Sequence, residues 1–308
     1  MQIHTFSPSL LPNLFPKLTN WARWACRGWL GWLDRAVRTA STSFRRGRRR
    51  WPLPSFFLLV FALSVPLWLI GAATGWQPLP GLPASSLMFV CPATAAAILV
   101  HGEKGSAGVV DLLRRSFDYR RIGAKAWYAP ILLLMPGLTA LAYWLMRLME
   151  SALPIPQLPV LAAAATFLAL FVAGLGEELG WSGYATDRMQ ERWGALGAGV
   201  LLGLAWATWH LVPLSQAGRS LGWTAWWCLF TVSARVLLVW VYNNAGKSVF
   251  AAALFHATIN ASWQFFPDRG SHWDPSVVAP IVAVTAVVAV CLWGPGTLAR
   301  FRYGPGRE

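Results

Sequence analysis

Residues 160–184 read VLAAAATFLALFVAGLGEELGWSGY. No charge interrupts the stretch before Glu177 and Glu178, and a helix of roughly 20 such residues spans the ~30 Å hydrocarbon core of a bilayer. Two adjacent carboxylates near its end are expensive in lipid and need a reason. The rest of the chain points to the same solvent. Its 308 residues are 56% hydrophobic and only 12% charged, with a mean hydropathy of +0.46. A soluble domain carries about 25% charge, and a water-facing globule needs polar residues to cover its surface. Soluble enzymes, disordered chains, collagens and secreted disulfide scaffolds are excluded by these figures.

Working outward, apolar runs predict an all-α polytopic transmembrane bundle of about eight spans, at residues 56–74, 84–101, 126–147, 159–184, 196–214, 222–242, 248–266 and 277–295. Charge orients them. The connection Gly75-Trp76-Gln77-Pro78-Leu79-Pro80 has none, whereas the next holds Lys104, Arg114, Arg115, Arg120, Arg121 and Lys125. Arg188, Arg192, Lys247, Arg300, Arg302 and Arg307 fall on that basic side, so the positive-inside bias puts both termini in the cytoplasm of a bacterial plasma-membrane protein. Residues 1–52 form a basic arm, 53–298 a transmembrane domain and 299–308 a cytoplasmic tail. The first 50 residues carry ten Lys or Arg and one acid, interleaved with Trp21, Trp24, Trp29 and Trp32. That mixture suits an interfacial helix on anionic lipid better than a nucleic-acid arm. Cys26, Cys91, Cys228 and Cys291 are far apart with no C-x-x-C, and read as reduced packing residues.

The polar residues inside the spans are few. Span four carries Glu177 and Glu178, span five His210, span six Arg235, and span seven His256 and Asn260. His256 and Asn260 are four apart and share a helix face, roughly 6 Å along the axis. Counted from the basic side at 1.5 Å per residue, Glu177, His210, His256 and Asn260 lie roughly 14–20 Å deep, one common level. A carboxylate and an imidazole can deprotonate water, while a second imidazole and an amide can donate to the oxyanion of a tetrahedral intermediate, which is amide hydrolysis. Glu177, His210 and His256 also make a catalytic zinc shell with an open position, and the residues alone do not separate the two. No H-E-x-x-H occurs, and no Ser or Cys stands in a triad-like context. The plainer readings are an interfacial anchor for the two glutamates and bundle packing for each histidine, with most of the 20 Trp serving as belt and packing residues.

Glu177-Glu178-Leu179-Gly180-Trp181, then Trp206-Ala207-Thr208-Trp209-His210, then His256-Ala257-Thr258-Ile259-Asn260 resemble the motifs E-E-x-x-x-R, F-x-x-x-H and H-x-x-x-N/B of the CAAX prenyl protease and bacteriocin-processing (CPBP) family of intramembrane endopeptidases. The resemblance covers about residues 160–265. It implies a multi-helix fold with the site in the cytoplasmic half of the membrane, Glu177 and His210 activating water, His256 and Asn260 stabilising the oxyanion, Glu178 in support, and a peptide or lipidated peptide as substrate. It leaves a metal-free glutamate mechanism and a zinc mechanism both open. Two departures stand out. Ser182 occupies the motif arginine's place, with Arg188 and Arg235 as substitute cations, and Trp206 replaces the motif phenylalanine as an aromatic wall. Ser182 keeps alive a non-catalytic scaffold or bacteriocin-immunity protein with the same pocket. A small transporter using Glu and His as a proton relay is a further alternative, opposed by the lack of an internal repeat.

Overall fold

The computed structural model describes residues 50–78, 83–149, 153–157 and 159–299. The expected arm, beyond Arg50, Trp51 and Pro52, and the tail after Ala299 lie outside the described residues. Every described element is helical: α1 (Leu53–Thr74), a 3₁₀ segment (Ala84–Val90) leading into α2 (Cys91–Arg114), α3 (Tyr128–Leu148), α4 (Val160–Gly180), a π turn (Trp181–Thr186), α5 (Asp187–Gln216), α6 (Leu221–Asn244), α7 (Val249–Gln264) and α8 (Pro275–Trp293).

The starts follow from local chemistry. Proline stands in the first turn of α1, α2 and α8, where its missing N–H costs nothing. Ser220, Ser248 and Asp274 cap α6, α7 and α8 through their side-chain oxygens. Asp118 adds a carboxylate at the start of α7, accepting from the Ser248 hydroxyl at 2.6 Å and from the Phe250 N–H at 3.0 Å.

All eight expected apolar segments are helical, but six stretches are long and apolar enough to cross a membrane: Leu53–Thr74, Ala84–Phe117, Lys125–Leu148, Val160–Gln216, Leu221–Asn244 and Pro275–Trp293. The difference has two causes. The expected fourth and fifth spans fall together in the one stretch Val160–Gln216, which turns at Gly194, and α7 has only 16 residues, short of the roughly 20 needed to span. Apolar side chains such as Leu161, Leu168 and Val284 are largely exposed, as lipid-facing positions must be. By contrast α6 is buried on every face from Ser233 to Asn244, the mark of a helix surrounded by others. It packs against α5 and α8, while α7 packs against α3 and α4, and α4 against α2.

Two irregularities shape the run from α4 to α5. The π turn begins at Trp181, three residues after Glu178; such turns insert a residue into the hydrogen-bond ladder and re-aim what flanks them. Arg115 Nη1 takes up the Gly183 carbonyl at 2.9 Å. Further on, α5 breaks at Gly194, whose φ of 68° and ψ of 176° suit glycine alone. The segment after α8 fills that break. Ala195 N–H donates to Gly296 O at 2.8 Å and Leu196 N–H to Pro295 O at 3.0 Å. The amides of Asn243 and Asn244 donate to Thr297 O and Leu298 O, each at 2.7 Å.

Candidate active site

Glu177 and Glu178 sit at the end of α4, where the helix is held tightly against α2. A Cβ on Gly176 would lie 2.9 Å from the Phe89 carbonyl oxygen, and one on Gly180 would overlap the Pro92 carbonyl. Glycine is therefore required here for close approach, and that approach fixes the depth of both carboxylates.

The two glutamates take different partners. Glu177 Oε2 accepts the Trp206 indole N–H at 2.8 Å and the Trp181 indole N–H at 3.3 Å. Its other oxygen, Oε1, lies 3.9 Å from His256 Nε2. Glu178 is fully buried and meets the Arg235 guanidinium, whose Nη1 lies 2.9 Å from Oε1 and 3.0 Å from Oε2. The Ser182 hydroxyl donates to Glu178 Oε2, and His256 Nδ1 lies 2.9 Å from Oε1. An ionised carboxylate only accepts, so this bond puts a proton on His256 Nδ1 and turns Nε2 toward Glu177.

His210 is fixed in a similar way by its own helix. Its Nδ1 lies 2.9 Å from the Trp206 carbonyl oxygen, an acceptor, so Nδ1 carries the proton and Nε2 keeps its lone pair. The imidazole is walled by Trp206, Trp209 and Trp227 at ring-centroid distances of 5.6, 4.9 and 5.2 Å. It stands within electrostatic reach of Glu177, His256 and Arg235. The Trp206 ring also meets the His256 ring at 5.0 Å. Glu177 from α4, His210 from α5 and His256 from α7 thus surround one indole. Asn260, one turn beyond His256 on α7 and half-buried, has no side-chain hydrogen bond among the described residues.

As a zinc shell, this donor set does not fit. Among the described residues no three His, Cys, Asp or Glu side chains come together closely enough to hold an ion. The atoms left to such a shell would be His256 Nε2, His210 Nε2 and Glu177 Oε1, since His256 Nδ1 is held by Glu178 and Glu177 Oε2 by two indoles.

Several of these contacts were not read from the sequence. Trp206 is more than an aromatic wall, and Trp181 more than a belt residue, because both indole N–H groups end on Glu177. A buried indole needs an acceptor, which was the available signal. Of the two substitute cations, Arg188 is spent elsewhere: it pairs with Glu103 at 2.6 Å and lies over the Tyr184 ring at 3.9 Å, while Glu103 Oε1 also accepts the Trp51 N–H. Arg235 reaches the site.

The sequence pattern of Type II CAAX prenyl endopeptidase Rce1-like proteins matches residues 159–262, the stretch holding every candidate residue just described. A CAAX prenyl protease 2 of Methanococcus maripaludis is 28% identical over 238 residues, covering 67% of this chain and 81% of that protein. Over this stretch the chain is similar to CAAX prenyl proteases. Within the CAAX protease pattern, α4 with the π turn supplies the first motif, α5 the second and α7 the third. The motif arginine is Ser182, and the cation beside Glu178 comes from α6.

Proposed function

We propose that the protein is an intramembrane endopeptidase of the CAAX protease type, hydrolysing a peptide bond of a lipidated or membrane-tethered peptide near the cytoplasmic face by glutamate-activated water without a metal. The observation that supports this most is the Trp206 ring, which donates to Glu177 while touching both His210 and His256. One side chain thereby ties the three helices of the site together.

With Oε2 held by two indoles, Glu177 Oε1 is the oxygen left for a water. The lone pair on His210 Nε2 is the second acceptor. Water oxygen bonds to the carbonyl carbon as its proton passes to Glu177; positioned acid–base groups of this kind contribute about 10²–10⁴ in rate. The oxyanion that forms takes hydrogen bonds from Asn260 Nδ2 and His256 Nε2, each such donor being worth about 10²–10³. Because His256 Nδ1–H belongs to Glu178, Nε2 donates only when the ring carries both protons, a charge that faces Glu177 on one side and Glu178 on the other. Collapse breaks the C–N bond and returns the proton to the leaving amine.

In this reading the termini face the cytoplasm and the basic arm lies on anionic lipid. The name of the archaeal relative makes a prenylated C-terminal peptide the first substrate to try. In lipid nanodiscs, wild-type protein should cleave a fluorogenic farnesylated Cys-aliphatic-aliphatic-X peptide. Glu177→Ala and His210→Ala should abolish cleavage without lowering the thermal midpoint much, and a chelator should leave the rate unchanged. Chelator-sensitive cleavage restored by zinc would replace the metal-free mechanism. A wild type inert across lipidated and plain peptides would favour the second reading, a scaffold or immunity protein, for which Ser182 in the arginine's place is the motivating feature.

A further inference from the structure

Arg235 has no exposed surface, sits on a helix that carries none of the three motifs, and ends on Glu178. Its path is specific. It leaves α6 beside Gly203 of α5, where a Cβ would lie 2.8 Å from Val232 Cα and 3.3 Å from Arg235 Cβ, so α5 and α6 are in backbone contact at that level. The guanidinium then passes over the Trp206 ring, its central carbon 4.3 Å from the centroid, and sets Nη1 between both oxygens of Glu178. Glu178 in turn receives Ser182 and His256. Among the described residues no other Lys or Arg pairs with Glu178.

Ser182 lies four residues after Glu178, so a long cationic side chain at position 182 points at the same carboxylate. Two buried guanidiniums on one carboxylate leave a charge uncompensated; none leaves the carboxylate uncompensated. Glu178 has the charge to match one guanidinium.

We propose that Arg235 is the positioning cation of the site, delivered from α6 in place of the arginine that the motif puts on the π turn, and that Ser182 and Arg235 form an exchangeable pair: the small hydroxyl at 182 is what admits the guanidinium from α6. The role rests on the hydrolytic reading above. Arg235 holds Glu178, which holds the His256 ring in the direction that the oxyanion step uses.

The test is a reciprocal exchange in the full-length protein, read by cleavage of the farnesylated peptide and, independently, by thermal unfolding in detergent. Arg235→Leu should lower kcat at least 30-fold with KM within about threefold, because substrate contacts stay while the imidazole loses its alignment. Ser182→Arg should also be impaired. The double variant Ser182→Arg/Arg235→Leu should regain at least tenfold over Arg235→Leu and recover most of the lost thermal midpoint. Arg235→Lys should retain more kcat than Arg235→Leu, since it keeps the charge but loses the stacking over Trp206. Additive defects in the double variant, or a loss that appears in KM alone, would overturn the exchange. If wild type cleaves nothing, the hydrolytic reading fails, while thermal rescue in the double variant still decides whether the two positions trade one cation.

Discussion

The Trp206 indole N–H donates to Glu177 Oε2 at 2.8 Å. To a buried carboxylate this is a charge-assisted bond, and in the hydrolytic reading it determines which oxygen is left for water.

Trp206→Phe restores the family's usual aromatic and keeps the wall between the histidines, but removes the donor. A hydrogen bond to a charged group is worth about 1.5–3 kcal/mol, or roughly 10- to 150-fold. We expect kcat to fall within that range with KM little changed in steady-state cleavage of the lipidated peptide. An unaltered kcat would reduce Trp206 to packing.

Glu177 and Glu178 should differ in what they do for stability. Glu178→Gln strands a buried guanidinium, a change that costs about 3–5 kcal/mol when one partner of a buried pair is removed. Glu177→Gln leaves only indoles as direct hydrogen-bond partners, and its amide oxygen still accepts from them. Thermal unfolding followed by tryptophan fluorescence should place Glu178→Gln far below Glu177→Gln, although both lose cleavage. Equal midpoints would contradict the separate partners seen here.

Gly180→Ala places a methyl against the Pro92 carbonyl oxygen and pushes α4 from α2. Overpacking of this sort costs about 1–3 kcal/mol, and here it also displaces the carboxylates. A lower midpoint together with reduced cleavage is expected; wild-type values on both would show that the helices part without consequence.

Asn243→Ala removes the bond to Thr297 O and the two exchanged with the Gln190 amide, and at about 1 kcal/mol for each bond should cost about 1–3 kcal/mol. The more specific readout is hydrogen exchange: the amides of Ala195 and Leu196, which donate to Gly296 and Pro295, should exchange faster in the variant, while amides in the middle of α6 do not.

The sequence exposed the helices because lipid demands long apolar runs, and it exposed Glu177, Glu178, His210 and His256 because lipid makes such groups conspicuous. It did not show that α7 is as short as 16 residues and buried among its neighbours, since an apolar run looks alike whether it faces lipid or other helices. The direction of Arg235 was also out of reach: a long side chain can turn toward several neighbours, and only the contact of α5 and α6 at Gly203 decides among them. Trp206 and Trp181 were hidden by abundance, as tryptophan serves as belt, filler and donor with the same letter. The π turn leaves no mark in composition at all.

The break at Gly194 imposes an order on assembly. The first amides of the helical stretch that bears Trp206 and His210 find their acceptors about 100 residues downstream, at Pro295 and Gly296. A chain emerging into the membrane therefore carries an unfinished α5 until α8 has been laid down behind it. Fusion or trimming close to Leu298 and Ala299 would reach the helix of Trp206 and His210 through this late fastening, although neither residue belongs to a motif.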